Sequence, residues 1–133
     1  MKLLLDTCSL IWILSEPQKL SARARQSLVD PTNSIHVSAV SFWEISLKNS
    51  IGKLKLQGIR PENFPEIVAQ EDWQIHPLEA HTASSVHNLP KINTHKDPFD
   101  RMLIHLAITE DYYFVSKDKA INAYATHGLK VCW

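Results

Sequence analysis

Short apolar runs that alternate with helix-like segments are the feature of this chain that most restricts its fold. The runs lie at Lys2–Leu5, 35–37, 73–76, 112–115 and around Val131. The first is largely apolar, as expected for a strand that is buried on both faces. Strands that alternate with helices along a chain usually pair in parallel. The alternation therefore predicts an α/β fold with a mostly parallel sheet that helices cover on both faces.

The segments between these runs carry the boundary signals of helices. The predicted helices span about 7–14, 21–29, 41–50, 66–71, 79–88, 98–111 and 117–125, and residues 89–96 are predicted to form a loop. Ser21 suits an N-cap, and Ser41 with Glu44 fits a capping box that places Glu44 in the first turn of its helix. Pro98 suits the first position of a helix that Asp97 caps.

One acid of the helix that begins at Pro98 lies on its apolar side. Arg101, His105 and Thr109 recur at four-residue spacing and form a polar stripe, whereas Asp100 shares a face with Leu103. An ionised carboxylate that is directed toward a core is costly unless it is paired or holds a metal. Asp100 is therefore a candidate functional residue.

Composition and charge indicate an ordinary globular protein. Of the 133 residues, 44% are hydrophobic and 21% are charged, so we expect one domain that covers residues 1–133. The chain has 14 Lys and Arg residues against 14 Asp and Glu residues. No overall basic excess therefore indicates a polyanionic partner.

The N-terminal run and the two cysteines bear on the cellular compartment. The run is interrupted by Asp6 and is too short for a signal peptide or a membrane span, so we expect a cytoplasmic protein without membrane contact. Cys8 and Cys132 are too few for a disulfide framework and lack CxxC spacing. We expect both to be reduced structural thiols.

Four acids fall where predicted strands end or helices begin. They are Asp6, Glu44, Asp100 and Asp118. In parallel sheets, ligands bind at the carboxyl ends of the strands. The last three acids share a spacing, because each is followed by apolar residues three and seven positions later. On a helical period this spacing places each carboxylate at the end of a core-facing stripe.

Helix capping is the alternative explanation for these acids. An acid in a first turn stabilises a helix by about 0.3–1 kcal/mol. That explanation applies to Glu44 in its capping box, to Asp97 as an N-cap and to Asp118, for which Ser116 is a competing cap. If the four acids converge, however, their mutual repulsion requires a bound cation.

The donor set favours a hard divalent cation. Carboxylates without a set of cysteine or histidine ligands indicate Mg²⁺ or Mn²⁺. The seven histidines show no zinc-binding spacing. We expect His81 and His87 at the surface, and His95 nearer the predicted site.

Four short motifs, taken together and in order, resemble those of a known family. They are Leu5-Asp6-Thr7, Ser41-x-x-Glu44, Asp97-Pro-Phe-Asp-Arg101 and Ser116-Lys-Asp118. The chain resembles the PIN-domain nucleases, and among them the small VapC-type toxins of bacterial and archaeal toxin–antitoxin pairs. The resemblance covers essentially the whole chain. It implies a three-layer α/β/α sandwich and divalent-metal-dependent endoribonuclease activity with Mg²⁺ or Mn²⁺.

The resemblance also implies roles for individual residues. Asp6, Glu44, Asp100 and Asp118 would be the first to fourth metal-binding and catalytic acids, with Asp97 competing for the third position. Four further residues would support them. Ser116 would position Asp118, Thr7 or Ser9 would orient water or phosphate, and Arg101 would pair with a neighbouring acid or with RNA. No role is assigned to Cys8.

Partners follow from the same resemblance. The family implies an RNA substrate, a small antitoxin protein that occludes the site, and a homodimer. Five apolar residues would line an antitoxin groove or belong to the core: Leu14, Leu20, Leu54, Leu56 and Ile59.

Two other functions compete with a nuclease. The first is a non-catalytic RNA- or protein-binding module on the same fold, with Trp12, Trp43, Phe64 and Trp73 as possible interface residues. The second is a phosphate-accepting regulator of the receiver type. That fold requires an acceptor Asp after its middle strand, whereas Ile75 is followed by His76 and Pro77.

Overall fold

A parallel β-sheet forms the centre of the protein in this computed structural model, which describes residues 1–92 and 95–133. Its strands are β1 (Lys2–Leu5), β2 (Ser34–Ser38), β3 (Gln74–His76), β4 (Tyr113–Val115) and β5 (Lys130–Cys132). Within the described residues these five strands pair in parallel in the order β3-β2-β1-β4-β5. The predicted strands and their parallel pairing are confirmed, and β1 is central.

Helices connect the strands. The α-helices are α1 (Thr7–Ser15), α2 (Ala22–Val29), α3 (Ala39–Ser50), α4 (Phe64–Gln70), α5 (Ala80–Ser85) and α6 (Pro98–Thr109). Short 3₁₀ segments occur at Pro17–Lys19, Pro61–Asn63 and Val86–Asn88, and a longer 3₁₀ helix spans Lys119–His127. Positions 93 and 94 of the predicted loop 89–96 lie outside the described residues.

Two apolar clusters cover the two faces of the sheet. Leu3 and Leu5 of β1 belong to one cluster, and Leu4 belongs to the other, because successive side chains of a strand point to opposite faces. The first cluster includes Leu10 of α1, and the second includes Leu103 of α6. Full burial of each such leucine contributes about 1.5–3 kcal/mol. The predicted three-layer α/β/α sandwich is confirmed.

The start of α3 differs from its prediction. The helix begins at Ala39, directly after β2, and the Ser38 hydroxyl accepts a hydrogen bond from the Val40 amide at 3.1 Å. Glu44 consequently lies in the second turn rather than the first. The capping-box interpretation of Ser41 and Glu44 was wrong, because the last residue of β2 caps the helix without an intervening loop.

The polar stripe predicted for α6 is not a solvent-exposed face. Asp97 caps this helix and Pro98 begins it, as predicted. His105, however, is buried, and its Nε2 lies 2.9 Å from Ser85 Oγ on α5. A tertiary contact with α5 therefore satisfies the polar side of α6 at this position.

Other expectations concern the thiols and membrane contact. Cys8 and Cys132 are both free; Cys132 is buried in the core, whereas Cys8 is exposed. In the part of the chain that is described, no helix combines the length and the apolar character that a membrane crossing requires.

Candidate metal centre

Asp6 lies at the carboxyl end of the central strand. It follows β1 and caps α1, where its Oδ1 accepts a hydrogen bond from the Ser9 amide at 2.7 Å. Its own amide donates to the Val115 carbonyl at 3.1 Å, which ties it to β4. Burial raises the pKa of Asp6, hydrogen bonds from Ser116 and Ser9 oppose that rise, and the charge of Glu44 adds to it. Asp6 is thus a buried carboxylate that favours a nearby cation.

Glu44 projects from the second turn of α3 and is buried. The Thr7 hydroxyl donates to its Oε1 at 2.5 Å and also lies 3.1 Å from Ser41 Oγ. The Lys48 ammonium, one turn further along α3, donates to its Oε2. Thr7 is therefore positioned to hold an acid rather than to act alone.

Asp97 and Asp100 lie together at the start of α6. Asp97 Oδ1 accepts the Asp100 amide at 2.9 Å, so one of its oxygens serves as the helix cap. The pKa of Asp100 is raised to about 7 by burial first, and then by the charges of Asp97, Glu44 and Asp6. Asp100 therefore experiences the field of the other acids of the site.

Asp118 follows β4 and caps the 3₁₀ helix Lys119–His127. Its Oδ1 accepts the Ala120 amide at 2.9 Å, and its own amide donates to Ser116 Oγ at 3.2 Å. Ser116 thus contacts Asp118 as the sequence predicts. The Asp118 side chain remains 44% exposed, which leaves Oδ2 accessible from the cleft.

The predicted acids border one region of the molecule. Ligand atoms of Glu44, Asp97 and Asp100 lie within 4.8 Å of one another, and so do those of His95, Asp100 and Asp118. Asp100 belongs to both groups. Among the described residues Asp6 belongs to neither group, but it lines an open cleft of about 830 Å³ together with Asp100 and Asp118.

The same geometry bears on the choice between Asp97 and Asp100. Asp97 belongs to one group and uses one oxygen as a cap, whereas Asp100 links both groups. Asp100 therefore has more neighbouring ligand atoms than Asp97, which lies close enough to contribute.

Lys48 is a residue of the site that the sequence analysis missed. Besides its contact with Glu44, its Nζ lies 3.9 Å from Asp97 Oδ2. Burial opposes the charged form of Lys48, but the hydrogen bond to Glu44 and the charges of Glu44, Asp97 and Asp100 raise its pKa overall. The i, i+4 spacing of Glu44 and Lys48 was the signal that could have identified it.

His95 is buried beside two of the acids. It is 6% exposed, and its Nδ1 lies 3.1 Å from the Tyr124 hydroxyl. Its Nε2 lies 3.6 Å from Asp100 Oδ2 and 3.7 Å from Asp118 Oδ2. Nε2 is buried and has no hydrogen-bond partner among the described residues.

Two residues predicted to support the site have other contacts. Arg101 donates to the Pro90 carbonyl and the Tyr124 hydroxyl through Nη1, and to the Leu89 carbonyl through Nη2, each at 3.0 Å. Within the described residues it forms no ion pair with an acid, and its expected contact with RNA stays a prediction. The Ser9 hydroxyl donates to the Val115 carbonyl at 3.0 Å, so Ser9 supports Asp6 through its amide.

Cys8 borders the cleft but does not have a reactive thiol. Cys8 is exposed as a residue, but its thiol group is largely buried beside the cleft. This burial, together with the charges of Asp6, Glu44 and Asp100, raises the pKa of the thiol to about 11. The thiol stays protonated at neutral pH. It is therefore a poor nucleophile and a poor metal ligand.

Aromatic residues of the alternative interface are mostly used in packing. Phe64 is buried in the core, and Trp12 and Trp73 are partly buried against it. Trp43 is 61% exposed and stacks edge-on against Phe99, with 4.9 Å between ring centroids.

The residues present fit a divalent cation. The donor set consists of carboxylate oxygens and one imidazole nitrogen, and the pKa of Asp100 is raised by burial first and then by the charges of the other acids. A cation that binds between carboxylates relieves such repulsion. His95 Nε2 is buried at the same place, has no hydrogen-bond partner among residues 1–92 and 95–133, and offers a nitrogen ligand atom.

Comparisons with known proteins agree with this architecture. The sequence model of the PIN domain family matches residues 3–126. No curated protein sequence matches the chain. Three solved structures illustrate the likeness, and each is 14 or 15% identical to this chain, so they bear on the fold.

The first is VapBC2 from Rickettsia felis bound to a DNA fragment from its promoter, with a TM-score of 0.65 and coverage of 98% of this chain and 97% of that chain. The second is DNA-bound VapBC from Salmonella typhimurium, with a TM-score of 0.63 and coverage of 98% and 96%. The third is VapBC-5 from Mycobacterium tuberculosis, of the VapBC family of toxin–antitoxin systems, with a TM-score of 0.58 and coverage of 98% of each chain.

Proposed function

The chain belongs to the PIN domain family, and from this membership we propose that it is a divalent-metal-dependent endoribonuclease, the toxin of a type II toxin–antitoxin pair. The observation that carries the proposal is the position of Asp100, whose carboxylate lies within 4.8 Å of ligand atoms of Glu44 on one side and of Asp118 on the other. Acids contributed by separate elements meet there, which capping alone does not require.

The contacts of each acid support a particular role for it in the proposed reaction. Asp6 and Asp100 would hold the metal, and Glu44, whose Oε1 accepts a hydrogen bond from Thr7, would complete its coordination. When bound, Mg²⁺ or Mn²⁺ would supply the positive charge that orients a phosphodiester and makes water a better nucleophile. Asp118 keeps Oδ2 free of the cap, so this oxygen would complete the coordination of the metal or accept the proton that the attacking water loses.

Basic residues around the acids bind the phosphates of the substrate. Lys117 and Lys119 line the same cleft as Asp6 and Asp100, and Lys117 lies over the Trp12 ring at 5.7 Å from its centroid. The formal net charge of the chain is zero, yet basic residues lie at the rim of the cleft next to its acids. Such a rim attracts an RNA backbone, which is read mainly through its phosphates.

The antitoxin docks in a groove on the other side of α1. The groove has a volume of about 540 Å³, and Leu14, Leu54, Leu56 and Ile59 line it. Leu20, by contrast, is buried in the core. Four of the five residues that the sequence indicated are thus available to an apolar segment of a partner.

A second copy of the chain covers the exposed side of α3. Trp43, Leu47 and Ile51 recur there at four-residue spacing and are exposed. An apolar row of this kind at a helix surface is typical of a protein interface. The Trp43–Phe99 contact places this row beside the start of α6, and hence beside Asp97 and Asp100.

Cleavage of RNA by the purified chain tests the proposed activity. Single-stranded and structured RNAs are incubated with the protein, free of any partner, with Mg²⁺ or Mn²⁺ and then with excess EDTA. We expect cleavage that EDTA stops. Asp6→Asn lowers the rate by at least about 100-fold, because even outer-shell changes in metal sites cost about 10–100-fold.

Asp72→Asn is the matched control for this substitution. Asp72 is exposed and has a left-handed backbone (φ 62°) that asparagine also adopts readily. We therefore expect the Asp72→Asn variant to cleave RNA at the wild-type rate. Cleavage that persists in Asp6→Asn contradicts the mechanism. RNA binding without cleavage in the wild type instead supports the non-catalytic binding module.

A further inference from the structure

The buried imidazole of His95 faces two carboxylates without a hydrogen bond to either. Its Nε2 lies 3.6 Å from Asp100 Oδ2 and 3.7 Å from Asp118 Oδ2. Hydrogen bonds between nitrogen and oxygen span about 2.7–3.2 Å, so both separations are too long. A buried polar atom without a partner is costly, and its position in a native fold requires an explanation.

The same separations suit shared coordination of one ion. Oxygen ligands lie about 2.1 Å from Mg²⁺, and imidazole nitrogens lie at similar distances from transition metals. Two atoms that are 3.6–3.7 Å apart can therefore both bind one ion between them. His95 lies in the loop before α6, Asp100 lies in the first turn of α6, and Asp118 lies in the segment that follows β4. The fold therefore brings together side chains from three separate parts of the chain.

Contacts on the far side of the ring orient it for this role. The Tyr124 hydroxyl lies 3.1 Å from Nδ1, and Arg101 Nη1 donates to the same hydroxyl oxygen at 3.0 Å. Tyr124 is fully buried and cannot move away. When Nδ1–H donates to this oxygen, the lone pair of Nε2 points at the two carboxylates, as in metal sites in which the second ring nitrogen is held by an outer partner.

Direct proton transfer to RNA does not explain His95. A general acid must come within hydrogen-bond distance of the substrate. Nε2 is buried, however, and both nearby carboxylate oxygens lie within 4 Å of it. The nitrogen therefore faces the space between the two acids.

We propose that His95 Nε2 binds the divalent metal together with Asp100 and Asp118, and that this nitrogen donor makes the centre prefer Mn²⁺ over Mg²⁺. The inference rests on the proposed function only in taking the acids to be a metal centre. Mg²⁺ prefers oxygen ligands and resists dehydration, whereas Mn²⁺ shares the affinity for carboxylates and, as a first-row transition ion, binds a nitrogen donor more readily than Mg²⁺ does. His95 is then a specificity-determining ligand, and Tyr124 is the residue that positions it.

Spectroscopy of the wild-type protein in the absence of RNA tests the proposal directly. The full chain is loaded with Mn²⁺, and the electron spin-echo modulation is recorded with natural histidine and with ¹⁵N-labelled histidine. We expect a ¹⁴N coupling that is replaced by a ¹⁵N coupling on labelling. Absence of a histidine nitrogen coupling, or failure to bind Mn²⁺, overturns the proposal without relying on any variant.

Variants then assign the coupling to His95. We expect His95→Gln to abolish it and to weaken Mn²⁺ binding by at least about tenfold in calorimetry, with a smaller effect on Mg²⁺ binding. Tyr124→Phe keeps the ring but removes its orienting oxygen, and it weakens Mn²⁺ binding by about 10-fold. His81→Gln changes an exposed histidine outside both ligand groups and leaves the coupling intact. A coupling that survives in His95→Gln overturns the assignment.

The outcomes separate this inference from the proposed function. Mn²⁺ with a nitrogen ligand but no RNA cleavage supports the inference and contradicts the nuclease. Metal-dependent cleavage without a nitrogen ligand contradicts the inference and leaves the nuclease in place. Circular dichroism of each variant shows whether it has folded before its metal affinity is compared.

Discussion

At the scale of single residues, Asp100 is the acid on which the charges of the site act together. Burial and the charges of Asp97, Glu44 and Asp6 raise its pKa to about 7, whereas Lys48 opposes the rise. The acid is therefore partly protonated at neutral pH when no cation is bound. The site thus lowers the stability of the fold, and a metal restores it.

This linkage predicts how stability depends on pH. The folded pKa of Asp100 is about 7 and its unfolded value is 3.8, so the unfolded chain binds fewer protons between these values. Stability without metal therefore falls as the pH rises from about 4 to about 7. We expect Asp100→Asn to raise the Tm of the metal-free protein at pH 8 and to have little effect at pH 4, as measured by thermal unfolding with EDTA.

Addition of metal should raise the Tm of the wild type relative to that of Asp100→Asn. At pH 8, Mg²⁺ or Mn²⁺ raises the Tm of the wild type more than that of Asp100→Asn, because the variant has lost a ligand that links both groups. Asp72→Asn, at an exposed position, follows the wild type at both pH values. An equal Tm for Asp100→Asn and the wild type at pH 8 in EDTA contradicts the raised pKa of Asp100, to which burial and the neighbouring charges both contribute.

At the scale of elements, Arg101 ties Leu89 and Pro90, in the segment before α6, to the rest of the fold. Arg101 donates to the carbonyls of Leu89 and Pro90 and to the Tyr124 hydroxyl, so it joins α6, the loop and the 3₁₀ helix. The planar guanidinium matches three acceptors in a fixed arrangement, which an ammonium cannot reproduce. Arg101 thus positions His95 indirectly, through Tyr124.

Replacement of this residue tests the anchoring role. We expect Arg101→Lys to lower the free energy of unfolding by about 1.5–3 kcal/mol, the range for hydrogen bonds to charged groups. Urea unfolding measures this change, and trypsin cleavage after Lys91 should become faster because the loop loses its anchor. Arg60→Lys is the control, since the Arg60 side chain is 81% exposed. Wild-type stability in Arg101→Lys contradicts the anchoring role.

Sequence reasoning succeeded where the signal was local. β1 and the helix that starts at Pro98 were predicted because apolar runs and capping residues act within a few positions. The start of α3 was missed because two serines compete as caps, and only the end of β2 decides in favour of Ser38. The contact between His95 and Tyr124, 29 positions apart, follows from the tertiary fold and leaves no local pattern.

At the scale of the whole molecule, the acid-lined cleft has the apolar groove beside α1 and the start of α6 as neighbours. The groove and the cleft share Trp12, and the exposed row of α3 contacts the start of α6 through Trp43 and Phe99. A protein that binds in the groove would therefore reach the rim of the cleft at Trp12. The arrangement is suited to inhibition by occlusion rather than by a distant conformational change.

A charge substitution in the exposed row of α3 tests the proposed homodimer. Ile51 ends the exposed row of α3 and is 55% exposed, so Ile51→Lys places a charge in the proposed interface with little strain within one copy. A lysine also suits the C-terminal end of a helix, so we expect no loss of monomer stability. Sedimentation equilibrium should show that Ile51→Lys dimerises at least about tenfold more weakly than the wild type. A factor of ten corresponds to about 1.4 kcal/mol, and burial of an unpaired charge costs well over that amount. Val29→Lys is the matched control because Val29 is 76% exposed at the end of α2, away from the row. A monomeric wild type, or equal association of both variants, contradicts the proposed dimer interface on α3.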